Sequence, residues 1–164
     1  MEIERKFRIR RLPESLEQYP YLQIEQGYLC TKPVVRIRKS NEDYILTYKS
    51  KDINAKNSTA IQNKEIELPL QKESYEHLKE KIDHRLIIKT RYLIPLPLER
   101  TAELDVFSGH LKGLIFVEVE FPSVESADTF EPPDWFGEDV SMDKRYHNTY
   151  LSQIDSVQEL LEKR

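Results

Sequence analysis

Met1-Glu2-Ile3-Glu4-Arg5-Lys6-Phe7 opens the chain, and Glu2, Glu4 and Lys6 recur at the two-residue period that places side chains on one face of a β-strand. Ile3 and Phe7 take the opposite parity, so one face is ionic and the other apolar. The same spacing returns at Arg36/Arg38, Glu65/Glu67, Lys89/Arg91, Glu103/Asp105 and Glu118/Glu120, each pair in a run with strand propensity. Val35 and Ile37, Ile66 and Leu68, Ile88, Leu104 and Val106, Val117, Val119 and Phe121 fall on the other parity.

Worked outward from these doublets, period and punctuation predict strands over residues 2–9, 21–31, 34–40, 43–50, 61–68, 85–94, 99–107 and 113–121. Short polar connections such as Ser40-Asn41-Glu42-Asp43 and Ser108-Gly109-His110 suit antiparallel neighbours. Peripheral helices are expected over Pro13 to Tyr19, Lys72 to Lys81, Met142 to Ser152 and Ser156 to Lys163, with Asp139 and Ser141 as N-caps of the third. Glu131-Pro132-Pro133-Asp134 reads as a rigid connector into that helix, and Lys51 to Ala60 as a polar, mobile loop. No repeat, low-complexity tract or second domain interrupts residues 1–164.

The expected fold class is mainly β (α+β), with one domain. At 164 residues and 38% hydrophobic content, the core is lean. Twenty-five basic against 29 acidic residues leave a net charge of -4, which argues against a nucleic-acid binder that relies on a uniformly basic surface. A single cysteine, Cys30, builds neither a disulfide framework nor a thiolate zinc site and reads as a small buried hydrophobe. His77, His84, His110 and His147 share no metal-ligand spacing and suit surface or turn positions. No apolar run reaches the roughly 20 residues that span a bilayer, and the N-terminus has no hydrophobic signal core. The expectation is an uncleaved cytoplasmic protein without membrane or nucleic-acid partners.

Solvated strand faces usually mix their charges, whereas Arg36/Arg38 and Lys89/Arg91 are purely cationic and Glu65/Glu67 and Glu118/Glu120 purely anionic. Such clusters need counter-charges, a metal or a polyanion, and a closed barrel brings them to one axis. Lys6, Arg36, Arg38, Lys49, Lys89 and Arg91 supply donors to phosphate oxygens. Glu2, Glu4, Glu65, Glu67, Glu103, Asp105, Glu118 and Glu120 supply the oxygen ligands that Mg2+ or Mn2+ prefers. The apolar outer face calls for cover from helices or from a second copy, so a homodimer is expected.

The pattern resembles the CYTH superfamily, the triphosphate tunnel metalloenzymes. The hallmark Glu-x-Glu-x-Lys is Glu2-Ile3-Glu4-Arg5-Lys6. The supporting segments are Gln26-Gly27-Tyr28-Leu29, Val35-Arg36-Ile37-Arg38, Leu46-Thr47-Tyr48-Lys49, Glu65-Ile66-Glu67, Ile88-Lys89-Thr90-Arg91-Tyr92, Glu103-Leu104-Asp105-Val106-Phe107 and Gly113-Leu114 leading to Glu118-Val119-Glu120-Phe121, in the family's order. Many relatives carry an arginine two positions before the acidic pair, where this chain has Asn63.

This resemblance implies a closed eight-stranded antiparallel β-barrel, a tunnel with a charged interior and flanking short helices, that binds triphosphate compounds with a divalent metal and cleaves a phosphoanhydride bond. Inorganic tripolyphosphate is the leading substrate. Class IV adenylate cyclisation of ATP, thiamine triphosphate hydrolysis with Trp135 stacking on the organic ring, and a polyphosphate- or nucleotide-binding module without turnover are the alternatives. The resemblance further implies one metal held chiefly by Glu2, Glu4, Glu118 and Glu120, with Glu103 and Asp105 also in the ligand set. Glu65 or Glu67 would assist a metal-bound water. The stretch from Asp139 to Asn148 resembles the helix that closes one tunnel end, offering Lys144 and Arg145 to the substrate.

Overall fold

Alternation of charged and apolar residues builds eight long antiparallel strands: β1 (Glu2–Ile9), β2 (Tyr21–Thr31), β3 (Val34–Ser40), β4 (Asp43–Lys51), β5 (Ile61–Pro69), β6 (Asp83–Leu96), β7 (Arg100–Ser108) and β8 (Ile115–Glu120). A computed structural model describes residues 1–162, with the side chains of residues 1–160. The strands hydrogen-bond in the order β5-β4-β3-β2-β6-β7-β8-β1, and β1 returns to β5, which closes the barrel.

That closure is short. β1 meets β5 only through Glu2↔Asn63, Ile3↔Gln62 and Glu4↔Ile61. Beyond Glu4 the same edge of β1 passes to a further strand, β9 (Phe136–Asp139), through Phe7↔Asp139 and Ile9↔Phe136. The opposite edge of β1 runs along β8 from Glu4↔Glu120 to Phe7↔Val117. The barrel therefore parts between β5 and β9, next to Lys6.

Strand parity sorts the side chains. Outward-facing Ile3, Phe7, Leu104, Val117, Val119 and Phe121 form an apolar layer under α2 (Val124–Asp128), together with Phe130 and Phe136. Another helix, α1 (Lys72–Lys79), lies over β3 and β4, where Tyr75 is fully buried and donates its hydroxyl to Glu25 at 2.8 Å. Tyr48, Ile66 and Leu68 keep 41%, 48% and 55% exposure, so among the described residues helices cover only part of the outer face. Inward-facing Tyr28, Ile87, Phe107 and Phe116 share parity with the charged doublets yet pack with Tyr146, Leu151, Ile154 and Leu160. The tunnel is ionic at one end and plugged by apolar side chains at the other.

Several local expectations change. α2 begins with a capping box in which Ser123 Oγ accepts from Ser126 N at 3.1 Å and Ser126 Oγ accepts from Ser123 N at 3.2 Å. Serine in place of the usual Glu or Gln hides that signal in the sequence. Pro13 to Tyr19 contributes only the 3-10 turn Leu16–Gln18. The helix expected over Met142 to Ser152 is a 3-10 turn, Lys144–Tyr146, followed by the one-turn α3 (Asn148–Leu151). Asp139 and Ser141 do not cap it: Asp139 Oδ1 accepts from Ser141 N at 2.8 Å, and Ser141 Oγ accepts from Lys6 N at 2.8 Å. The Pro-rich connector leads into β9 instead. Asp128 anchors the loop before β5 by accepting from Ser58 Oγ at 2.5 Å and Thr59 Oγ1 at 3.3 Å. The last helix, α4, runs Val157–Glu162, and its expected end at Lys163 lies outside the described residues. Among the described residues no helix is long and apolar enough to cross a membrane.

Candidate active site

The register Glu4↔Glu120 lays the start of β1 beside the end of β8. Their shared parity brings one carboxylate oxygen each from Glu2, Glu4 and Glu120 within 4.8 Å of one another. β5 adds Glu65 and Glu67, which with Glu2 and Glu120 line a cavity of about 330 Å³ at this mouth. Positive charge is scarce here. Burial, then the neighbouring Glu118 and Glu2, push the Glu4 carboxyl well above its ordinary value. Burial and a hydrogen bond with Glu65 raise Glu2. Burial, with Glu103, Glu2 and Glu118 nearby, raises Glu120 to about 7. Lys49 answers part of this charge, its Nζ lying 2.7 Å from Glu2 Oε1 and 3.8 Å from Glu65 Oε2. Convergent, under-neutralised carboxylates of this kind fit a hard divalent cation.

Deeper in the barrel the charges satisfy one another. The β6–β7 register sets Arg91 opposite Asp105, and Arg91 Nε and Nη2 donate to the two carboxylate oxygens at 2.7 and 2.9 Å. Lys89 Nζ donates to the same Asp105 at 2.7 Å, with both side chains at 0% exposure. Arg91 also reaches Glu103 at 2.8 Å and Glu118 at 3.7 Å. Burial pushes the Lys89 ammonium down to about 7, with Arg91 and Arg38 adding repulsion against the attraction of Asp105. Burial opposes ionisation of Asp105 and Glu118 as well, but Arg91 and Lys89 hold Asp105 low, and Lys6 and Arg91 hold Glu118 low. Lys6 Nζ is engaged too, donating to Tyr146 O at 2.7 Å and lying 3.4 Å from Glu118 and 4.5 Å from the Phe116 ring centroid. Of the carboxylates expected to ligate a metal, Glu2, Glu4 and Glu120 converge, whereas Glu103, Asp105 and Glu118 face cations.

Of the remaining expected cations, Arg36 and Lys49 line the opening where β1 leaves β5. A cavity of about 440 Å³ there is bounded by Glu4, Lys6, Arg36 and Lys49, by Ile61 and Asn63, and by the closing segment at His147, Asn148 and Thr149. Arg36 is 6% exposed; Nη2 donates to Thr47 Oγ1 at 3.1 Å, while Nε is buried without a partner. Arg38 Nε donates to Gln26 Oε1 at 2.8 Å, and burial beside Arg36 and Arg91 lowers its guanidinium to about 9. Asn63 stands on this wall, where many relatives were expected to carry an arginine.

The closing segment brings neutral polar groups to the cavity, not the basic ones expected. Lys144 is exposed and lines no described cavity. Arg145 turns back on Asp143, donating from Nη2 at 2.6 Å. His147, assigned a surface or turn position from sequence, lines the cavity while its Nε2 lies 3.1 Å from Ser141 O. Tyr28 and Asn148 also line it and had no charge signature to mark them, although both sit inside the segments that carry the resemblance. Trp135 lies in the outer apolar layer, its ring 4.6 Å from that of Phe136, away from the tunnel.

Comparison with known proteins points to one family. Residues 1–146 match a family model described as the CYTH domain. An inorganic triphosphatase of Nitrosomonas europaea is 38% identical over 154 residues, covering 92% of this chain and 96% of that protein. An inorganic triphosphatase of Acetivibrio thermocellus is 32% identical over 157 residues, covering 92% of each. The crystal structure of an inorganic triphosphatase superposes with a TM-score of 0.68 at 37% identity, covering 95% of this chain and 97% of that one. A putative adenylyl cyclase from Hippeastrum, at 15% identity and a TM-score of 0.55, shares the fold alone.

Proposed function

The chain belongs to the CYTH domain family, and on that premise we propose that it hydrolyses inorganic tripolyphosphate to pyrophosphate and orthophosphate with a divalent cation, Mg2+ or Mn2+. One observation carries this reading: the Glu2, Glu4 and Glu120 carboxylates converge within 4.8 Å, and Glu4 also bounds the cavity lined by Lys6, Arg36 and Lys49. An acid cluster for a cation and a basic wall for an anion thus meet at Glu4.

Glu2, Glu4 and Glu120 would hold the cation, which when bound supplies charge neutralisation for phosphate oxygens and lowers the pKa of a coordinated water. Arg36, with its free Nε, and Lys49 orient the phosphate chain, the guanidinium as a planar fork and the ammonium as a point charge. Lys89 and Arg91, neutralised by Asp105, Glu103 and Glu118, form a buried ionic floor that holds Glu118 in place. Glu65 and Glu67, which line the acid mouth, would accept a proton from an attacking water. Because catalysis of phosphoryl transfer is largely positioning and electrostatic stabilisation, such a preformed cradle supplies most of what the reaction needs.

A pure anion binder has no use for three converging carboxylates, which disfavours the non-catalytic reading. Trp135 lies outside the tunnel, which removes the ring-stacking argument for thiamine triphosphate. The deciding assay offers tripolyphosphate, ATP, thiamine triphosphate and pyrophosphate with Mg2+, Mn2+ or chelator, reading orthophosphate and cyclic AMP together. Metal-dependent orthophosphate release, fastest from tripolyphosphate, is expected. Cyclic AMP from ATP as the dominant product would replace hydrolysis with cyclisation.

A further inference from the structure

The cations of the tunnel differ in what holds them. Lys6, Lys49, Lys89 and Arg91 each lie against a carboxylate, at 3.4, 2.7, 2.7 and 2.7 Å. Arg36 and Arg38, both on β3, lie against none among the described residues. Their partners are neutral: Arg36 Nη2 donates to Thr47 Oγ1 at 3.1 Å and Arg38 Nε to Gln26 Oε1 at 2.8 Å, with Thr47 and Gln26 each at 0% exposure. Resting on the tripolyphosphate reading, we infer that Thr47 and Gln26 are positioning residues of the anion site, which fix the two guanidinium groups without neutralising them.

Strand register builds both contacts. Gln26 on β2 stands directly opposite Arg38, and Thr47 on β4 directly opposite Arg36. Cross-strand partners have Cβ atoms about 5 Å apart, so each acceptor meets its guanidinium at short range. Glu67 on β5 is the next residue in the second row, opposite Thr47. In the neighbouring row Lys49 stands directly opposite Glu65 and reaches it at 3.8 Å. Thr47 therefore interposes a neutral residue between a cation and a carboxylate. Glu67 senses both arginines, which lower its pKa after a hydrogen bond with Glu65 does so, but among the described residues it forms an ion pair with neither.

A neutral acceptor and a carboxylate can hold a guanidinium in the same place, but they leave it with different charge. Asp105, engaged by Nε and Nη2 of Arg91, cancels the pull of that cation on an incoming anion. Thr47 and Gln26 leave theirs uncancelled. Burial beside Arg36 and Arg91 accordingly lowers Arg38 to about 9, and Arg36, which lines the 440 Å³ cavity, keeps Nε buried without a partner. An oligophosphate relieves both, because its oxygens accept from planar forks whose direction is already set. Gln26 is itself steadied by the Tyr28 hydroxyl, 3.4 Å from Nε2, which leaves the carboxamide oxygen turned to Arg38.

The test measures KM and kcat for tripolyphosphate with Mg2+, calorimetric binding of tripolyphosphate to chelator-treated protein, and thermal melts in chelator. Gln26→Glu keeps the shape and the acceptor but sets a carboxylate against Arg38. It is expected to raise KM and weaken metal-free binding by at least about tenfold, with kcat within about threefold, while melting no lower than wild type. A purely structural glutamine would not separate stability from binding in this way. Thr47→Val, which removes the acceptor at nearly the same shape, is expected to raise KM by about tenfold, and Thr47→Ser to bring it back within about twofold of wild type. Thr47→Ala replaces Thr47→Val if the latter melts below the assay temperature. The inference is overturned if Gln26→Glu binds tripolyphosphate like wild type, if it melts lower, or if Thr47→Ser is as impaired as Thr47→Val. Wild type that binds tripolyphosphate but never turns it over sinks the hydrolase reading alone, because the binding and melting contrasts still decide the role of Thr47 and Gln26.

Discussion

Glu120 closes the carboxylate trio from β8, and burial among Glu103, Glu2 and Glu118 raises it to about 7 from an ordinary 4.5. Between those values the folded chain keeps a proton that the unfolded chain has released, so this group's contribution to stability is present at low pH and lost as pH rises through about 7. In chelator, the melting temperature is expected to fall between about pH 5 and pH 8, and Glu120→Gln is expected to flatten that fall. Equal slopes for variant and wild type would refute the electrostatic account of the trio. Glu4→Gln removes a more deeply buried member, 8% exposed. It should lower metal-dependent turnover by at least about a hundredfold while melting in chelator no lower than wild type, because a carboxyl strained toward protonation gives the metal-free fold nothing. At this scale the acids and bases were legible from spacing alone. Their pairing was not, since Arg91 meets Asp105 only through a register set by the whole β6–β7 hairpin. Nor did any spacing mark Tyr28 or Asn148, neutral residues that line the cavity through where their elements are placed.

Among the elements, β2 shows how a strand sequence encodes a close approach. Gln26 pairs with Ile87 and Tyr28 with Asp83, so the register slips at Gly27. A Cβ there would come within 2.7 Å of Ile82 Cγ2 and 3.2 Å of Ile82 Cβ. Because Ile82 is branched at Cβ, it cannot swing clear as a flexible tip would. Gly27→Ala is therefore expected to cost about 1–3 kcal/mol in urea unfolding, with an unchanged m-value, and to raise KM through displaced Gln26, the partner of Arg38. Full stability of that variant would show that the contact yields more easily than the geometry allows. The eight barrel strands were readable because each runs for at least six residues rich in strand-forming side chains. β9 was not: Phe136–Asp139 is four residues long, includes Gly137, and forms because β1 has a free edge beyond Glu4. The helix expected after it fails for a related reason, as Val140 N bonds Lys6 O at 2.8 Å and Ser141 clamps Lys6 N. Backbone groups tied to a neighbouring strand are unavailable to a helix ladder.

Across the whole molecule, two like-charged clusters meet at Glu4, each a liability until a ligand of the opposite sign arrives. The acid mouth repels itself without a cation, Lys49 answering only part of its charge, and Arg36 repels Arg38 without an anion. The two ligands also screen each other when bound together. Linkage then requires that each ligand stabilise the fold, and that each bind more tightly in the presence of the other. Thermal unfolding with chelator alone, with Mg2+ alone, with the non-hydrolysable imidotriphosphate alone, and with both measures this directly. The expected melting temperatures rise in the order neither, either, both, with the combined shift larger than the sum of the separate ones. A strictly additive shift would mean that cation and oligophosphate occupy independent sites, and the junction at Glu4 would lose its catalytic meaning. A shift from the anion alone, with none from the metal, would return Glu2, Glu4 and Glu120 to a merely structural cluster.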